Sequence, residues 1–365
     1  MTVELFRQTA RIALQSWTRR WPHASRLFLF GENQSWVINW EMRELSRLAQ
    51  RLGIKRPPSS LYFHSQEQAV FYGSQFALLE DDWLTRGHAV ATAYFHGKPG
   101  LGIKEFDALY ERLKMHHDKI ARLQVSHSEM RDVILASGID ASKVHMIPIA
   151  VNVDFFPLRS EADYRAARQR LAIPDAAFVV GSFQKDGVGW GDGLEPKLIK
   201  GPDVFLQTMK RLKSVVPEVH VLLSGPARGY VMKGLRELHI PFTHRLLKNY
   251  PDIKELYHAC DLYLVTSREE GGPKAVLESM ACGVPLVTTR VGQAMDLVRH
   301  GENAWMVDSE EVDGLVHWAQ WVHSHKGELN PVREAGRATA EANTYAAQLP
   351  LWQKFFDGFV TVESK

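Results

Sequence analysis

Between Asp261 and Thr289 the chain reads DLYLVTSREEGGPKAVLESMACGVPLVTT, and the three parts of this stretch decide the fold. DLYLVTS is almost continuous in apolar and β-branched residues, which predicts a strand buried on both faces of a parallel sheet. Pro273 stands where a first helical residue is expected, because its fixed φ suits a helix start and its missing N–H is not needed there. Gly283 and Pro285 end the helix predicted over 273–282. PLVTT (285–289) is then the next strand. Strand, helix and strand in this order make a βαβ unit, and such units bind ligands beyond the carboxyl ends of their strands. The turn REEGG is therefore where chemistry is expected.

The same alternation runs through the rest of the chain. In the first half the predicted strands are RLFLFG (26–31), SLYFHS (60–65), AVATAYFH (89–96), RLQVSH (122–127) and KVHMIPIAV (143–151). Helical patterns fall at 103–118 and 128–138. A second series starts after a polar stretch near 157–170, with strands FVVGSF (178–183), HVLLSG (220–225) and DLYLVTS, helices near 202–213 and 228–238, and helices from PLVTT to the end. At 365 residues the chain exceeds one domain of roughly 100–200 residues. Two doubly wound Rossmann-like α/β domains facing a cleft are predicted: residues 1–155, residues 156–340, and a C-terminal helix at 341–365 packing back toward the first domain.

Composition excludes several classes. With 44 Lys and Arg against 42 Asp and Glu, the net charge is +2. That is too little for a dedicated nucleic-acid binder, which neutralises many phosphates with clustered cations. No apolar run reaches the ~18 residues of a transmembrane helix, and no signal-like apolar stretch opens the chain. Cys260 and Cys282, the only cysteines, lie in apolar stretches, so reduced and buried thiols and a cytoplasmic location are expected. The basic segment 1–21, with Arg7, Arg11, Arg19 and Arg20 beside an apolar helical stripe, has two readings: a helix packing on its own domain, or peripheral contact with an anionic inner membrane surface. No H-E-x-x-H, nucleophile elbow, Walker loop or D-x-D is present. GVGWGDG (187–193) fails G-x-G-x-x-G at its last glycine.

The helix after the turn is apolar nearly all round, broken only by Lys274 and Glu278. These share a stripe, so an i, i+4 ion pair of a few tenths of a kcal/mol is one reading. The other is that Glu278 meets a polar ligand, since an unpartnered buried carboxylate is costly. The first-turn amides of Lys274, Ala275 and Val276 form an anion-binding helix start, and Gly271 and Gly272 allow close approach of a ligand. Glu270 then lies on the other side of those amides. Hydroxyls at both ends and phosphates between them describe a nucleotide sugar.

The run EGGPKAVLESMACGVPLVTT resembles the E-x7-E signature of the retaining family-4 glycosyltransferases, which have the GT-B fold. VGQAMDLVRHGENAWMV (291–307) is similar to that family's following segment, with Asp296 and Ala304 where Glu and Gly are usual. GSF…LIKGPDVFLQTM (181–209) resembles its G-R-x-x-x-x-K-G-x-D segment, and MIPIAVNVDFF (146–156) its interdomain strap, with Ala150 and Asn152 replacing Gly and Asp. The resemblance implies that Glu270 contacts the donor sugar, Glu278 holds the ribose hydroxyls, and the amides between them contact the diphosphate. It gives Lys200 the diphosphate-neutralising role and places Gly181 at the first strand of the nucleotide domain. The usual Arg after that glycine is Ser182 here, so Lys185, or else Lys197, is expected to supply the missing cation. His96, followed by Gly97, matches an element whose His lies near the donor sugar. Gly31, with Asn33 beyond it, is expected to border the cleft from the first domain.

The function so implied is transfer of a sugar from a nucleotide-diphosphate sugar, UDP favoured over GDP, to a glycan or lipid-linked acceptor hydroxyl. Retention at the anomeric carbon is expected, with no cofactor, no required metal and no nucleic-acid partner. The alternatives are a nucleotide-sugar epimerase of the same architecture and a catalytically silent nucleotide-sugar-binding subunit.

Overall fold

The computed structural model describes residues 26–31, 37–54, 68–85 and 87–360. The predicted strand 60–65, Asn33 and the basic segment 1–21 lie outside the described residues. Two compact units divide the chain: residues 1–148 with 345–365, and residues 149–344.

In the first unit five parallel strands lie in chain order: β1 (Leu27–Phe30), β2 (Ala69–Tyr72), β3 (Ala89–Ala93), β4 (Ile120–Val125) and β5 (Val144–Met146). Helices Lys104–His116 and Ser128–Leu135 bury Leu109, Leu113, Met130 and Ile134 with Val90, Leu123 and Val125 of the sheet. The helix Leu349–Phe356 joins this unit, setting Trp352 and Phe355 edge-on to Phe71 at 5.9 and 5.7 Å. Arg122 reinforces it by donating to Asp357 O at 2.9 Å. The division falls at Pro148/Ile149 rather than after residue 155. Val151 and Phe156 of the strap are buried in the core of the second unit, and Val151 N–H donates to Asn343 O.

The second unit holds six parallel strands: β6 (Phe178–Ser182), β7 (Val219–Ser224), β8 (Phe242–Arg245), β9 (Leu262–Val265), β10 (Leu286–Thr289) and β11 (Trp305–Val307), in the order β11-β10-β9-β6-β7-β8. Alternate residues feed opposite faces. Phe178, Val180, Leu262 and Leu264 join Phe205, Met209, Leu315 and Val322 on one side. Val179, Tyr263 and Val265 join Leu256, Val276, Leu277, Met280 and Ala340 on the other. Helices cover both faces, which is why these strands read as unbroken apolar runs. Strand order reverses between β6 and β9, and loops leaving the carboxyl ends of two such strands part to form a crevice. Those two loops carry Lys200 and Glu270.

Candidate donor site

Lys200 ends a short 3-10 turn, Leu198–Lys200, in the loop after β6, and Pro202 starts the helix Pro202–Val215. Gly201 between them has φ +62°, and a Cβ there would stand 1.8 Å from Thr266 O. Only glycine lets this turn press on the end of β9. Thr266 Oγ1 donates to Gly201 O at 3.0 Å, and the Arg268 and Glu269 N–H groups donate to Ile199 O. Arg268 also grips Asp203 with two bonds of 2.8 Å. Held this way, Lys200 Nζ lies 2.6 Å from Glu270 Oε2, with side chains 21% and 11% exposed. Ser267 Oγ donates to Glu270 Oε1 at 3.0 Å, and Gln184 donates to Lys200 O at 2.8 Å. The result is a positioned cation and carboxylate at the switch point.

The turn after Glu270 is held from behind by Gly292 (φ +51°). A Cβ there would lie 2.6 Å from both Glu270 O and Gly271 O. Gln293 N–H donates to Gly271 O at 3.1 Å, and Gly272 packs against Ile149 and Gln293. Pro273 has ψ 110° and serves as the N-cap, so the helix is Lys274–Ala281, one residue later than expected. The Val276 N–H donates to Pro273 O at 3.0 Å. That bond lies within the first turn of the helix. Lys274 Nζ donates to Ala150 O at 3.0 Å and lies 5.8 Å over the Tyr250 ring.

Glu278 is buried, as its apolar surroundings predict, and its oxygens accept hydrogen bonds from protein hydroxyls. Tyr250 Oη donates to Oε1, and Tyr257 Oη donates to Oε2 at 2.7 Å. Burial and the neighbouring carboxylate hold the Tyr257 hydroxyl protonated far beyond its ordinary range. The need for a polar partner is thus met within the fold, and a ligand hydroxyl reaching Glu278 would join or displace Tyr250.

Ser182, where the resembled family has Arg, is buried beneath a guanidinium from elsewhere. Arg228 donates to Ser182 O at 2.6 Å, to Ser224 O at 2.8 Å and to Ser182 Oγ at 3.2 Å. Its Nε lies 2.9 Å from Asp186, and both side chains are essentially excluded from water. Burial raises the Asp186 carboxyl against the opposing pull of Arg228. No sequence pattern singled out this arginine, because it reaches Ser182 only through the pairing of β7 with β6. Lys185 instead lies over the exposed Trp190 ring at 4.1 Å, and burial lowers its pKa. Lys197 is exposed, and its N–H donates to Asp186 O at 2.8 Å. Gly181 lies within β6, where a Cβ would meet Cys260 Sγ at 2.6 Å. Both cysteines are buried free thiols.

In the first unit, His96 and Gly31 follow the carboxyl ends of β3 and β1. His96 is half-buried between Phe76 and Phe106, with ring centroids 5.9 and 5.5 Å away, and its carbonyl accepts from Gln75. Gly31 is packed so that a Cβ would meet Asn39 Oδ1 at 2.4 Å.

Residues 194–339, all within the second unit, match the family model described as Glycosyl transferases group 1. The fold, two parallel-sheet Rossmann-like α/β units, is that of the GT-B glycosyltransferases. Among curated proteins, the D-inositol 3-phosphate glycosyltransferase of Xylanimonas cellulosilytica is 28% identical over 204 residues, covering 51% of this chain and 44% of that protein. The protein of that name from Mycobacterium tuberculosis strain F11 is 28% identical over 205 residues, covering 53% and 39%. The chain thus spans less than half the length of the curated relatives it matches. Of solved structures, Anabaena Alr3699/HepE in complex with UDP and glucose superposes with a TM-score of 0.74 at 16% identity, covering 92% of this chain and 100% of that one. Sucrose-phosphate synthase from Thermosynechococcus elongatus gives 0.68 at 16% identity, covering 86% and 78%. Among the described residues, no helix is long and apolar enough to cross a membrane.

Proposed function

We propose that this chain transfers a sugar from a nucleotide-diphosphate sugar, UDP-linked in preference to GDP-linked, to an acceptor hydroxyl. The observation that carries the reading is the Lys200–Glu270 pair, 2.6 Å apart at the switch point beside the start of the helix Lys274–Ala281. Lys200 and the Ala275 amide meet the diphosphate, Glu270 grips the transferred sugar, and Glu278 takes the ribose in exchange for the Tyr250 hydroxyl. Gly271 and Gly272 admit the donor, and Lys185 lies at the edge of the same loop. As the glycosidic bond breaks, negative charge grows on the diphosphate. A cation and helix amides already oriented toward it lower the barrier without reorganising at that moment.

Retention follows from the resemblance: a leaving phosphate oxygen takes the acceptor proton, so no side-chain base is demanded. With Lys200 supplying positive charge, the reading has no required metal and no cofactor. His96 and Gly31 are assigned to the donor-sugar side from the first unit. The acceptor is a hydroxyl-bearing glycan or lipid-linked glycan, and the relatives named for D-inositol 3-phosphate make a polyol phosphate the first acceptor to assay.

Donor turnover of the wild type beside Glu270→Ala and Lys200→Ala tests the assignment. Each variant is expected to lose about 10²–10³-fold, the scale of removing one preorganised charge-stabilising group. Unchanged turnover in both would sink it. Calorimetry with UDP and GDP separately tests the base.

A further inference from the structure

The opposite edge of the second sheet carries a different cluster. A cavity of about 270 Å³ opens at the amino ends of β6 and β9, lined by Arg159, Tyr164, Asp261, Lys326 and Arg333 among others. A second cavity of about 400 Å³ shares Arg159 and Arg333. The carboxylates around them are engaged or exposed. Asp261 is bound by Arg168, by Tyr164 Oη at 2.9 Å and by Val179 N–H at 2.7 Å. Glu161 pairs with Arg165 at 2.9 Å and Glu341 with Arg337 at 2.7 Å, while Glu334 faces solvent.

The three cations are not matched in this way. Among the described residues, Arg159, Lys326 and Arg333 make no ion pair. Arg159 donates only to the carbonyls of His258 and Cys260, and Lys326 lies over the Phe178 ring at 5.6 Å. Arg333 Nε is buried without a hydrogen-bond partner. Burial lowers the pKa of both arginines, and Arg159 lowers that of Arg333 further, while Asp261 opposes the shift in both without closing an ion pair. Two half-buried guanidiniums that line the same two cavities, one with a buried unused donor, are costly unless an anion joins them. Planar forks of this kind suit the oxygens of a phosphate, and the cavity leaves room for a small organic group.

We propose that Arg159, Lys326 and Arg333 form a binding site for a small soluble phosphate monoester at the amino edge of the second sheet. The site stands independently of the donor-site reading, because it shares no residue with it.

Inorganic phosphate is the probe, and the full chain carrying Lys200→Ala is the background, which weakens phosphate binding at the other edge. Phosphate at roughly ten times its Kd is expected to raise Tm by about 3 °C. Adding Arg333→Gln is expected to abolish that rise, and Lys326→Ala to reduce it. No rise in the background, or an equal rise with Arg333→Gln, overturns the proposal. Without phosphate, Arg333→Gln should be at least as stable as wild type, since it removes an unpaired charge. A variant that fails to fold, or whose Tm falls by several degrees, makes Arg333 structural and overturns the site. Flotation with phosphatidylcholine vesicles containing phosphatidic acid is expected to be negative, and flotation abolished by Arg333→Gln would replace the soluble ester with a lipid headgroup.

Discussion

Two ion pairs anchor the loop between β6 and the helix Pro202–Val215, and they differ in their access to water. Arg228 and Asp186 are 0% and 1% exposed, whereas Lys200 and Glu270 are 21% and 11% exposed. The buried pair cannot meet a donor. It ties the loop to Ser182 and Ser224 at the strand ends. The open pair is fixed through backbone and hydroxyl contacts, leaving its charged atoms at the crevice. One loop thus separates a charge pair that holds the fold from one that can serve a ligand, and mutation should separate them too.

Arg228→Ala should give the largest stability loss, about 3–5 kcal/mol by urea unfolding, because it strands a buried carboxylate. An unchanged midpoint would erase the distinction. Lys200→Ala, by contrast, should act on turnover. Tyr257→Phe sharpens the comparison by removing a neutral donor from a buried acid: about 1–3 kcal/mol is expected, because Glu278 loses its 2.7 Å partner. A loss of nothing measurable would mean that water or Tyr250 takes over.

The smallest effect concerns a histidine that packs near two cations and stays neutral. Burial, Arg122 and Lys354 hold His145 down at about 4, from an ordinary 6.5. Between those values the unfolded chain binds the proton and the folded chain does not. Its contribution is therefore full above pH 6.5 and is lost as pH falls toward 4. His145→Gln should flatten the Tm profile across that window, and a profile identical to wild type would show that His145 is not the source.

The helix Lys274–Ala281 and strands β6, β9 and β10 were legible because periodicity, proline and glycine all agreed there. β2 and β11 went unread: AVFY is a four-residue run and WMV a three-residue one, too short to show a period. β8, FTHR, is a half-exposed edge strand with no apolar alternation. In the candidate site, Glu270 and Glu278 were visible through the Gly-Gly-Pro turn and the apolar helix, and Lys200 through the family resemblance alone. Arg228, Tyr250 and Tyr257 were not, because each meets its partner through chain crossings that no local pattern records.

The sequence by itself determined the elements and their polarity: buried strands running into glycine-bearing turns and an acid set in an apolar helix. These depend on backbone geometry and burial, which act over a few residues. The tertiary structure alone decided who answers each charge, since pairing depends on distance in space. It put Lys200 on Glu270, two tyrosines on Glu278 and Arg228 on Ser182, and it left the Arg333 Nε without a hydrogen-bond partner among the described residues.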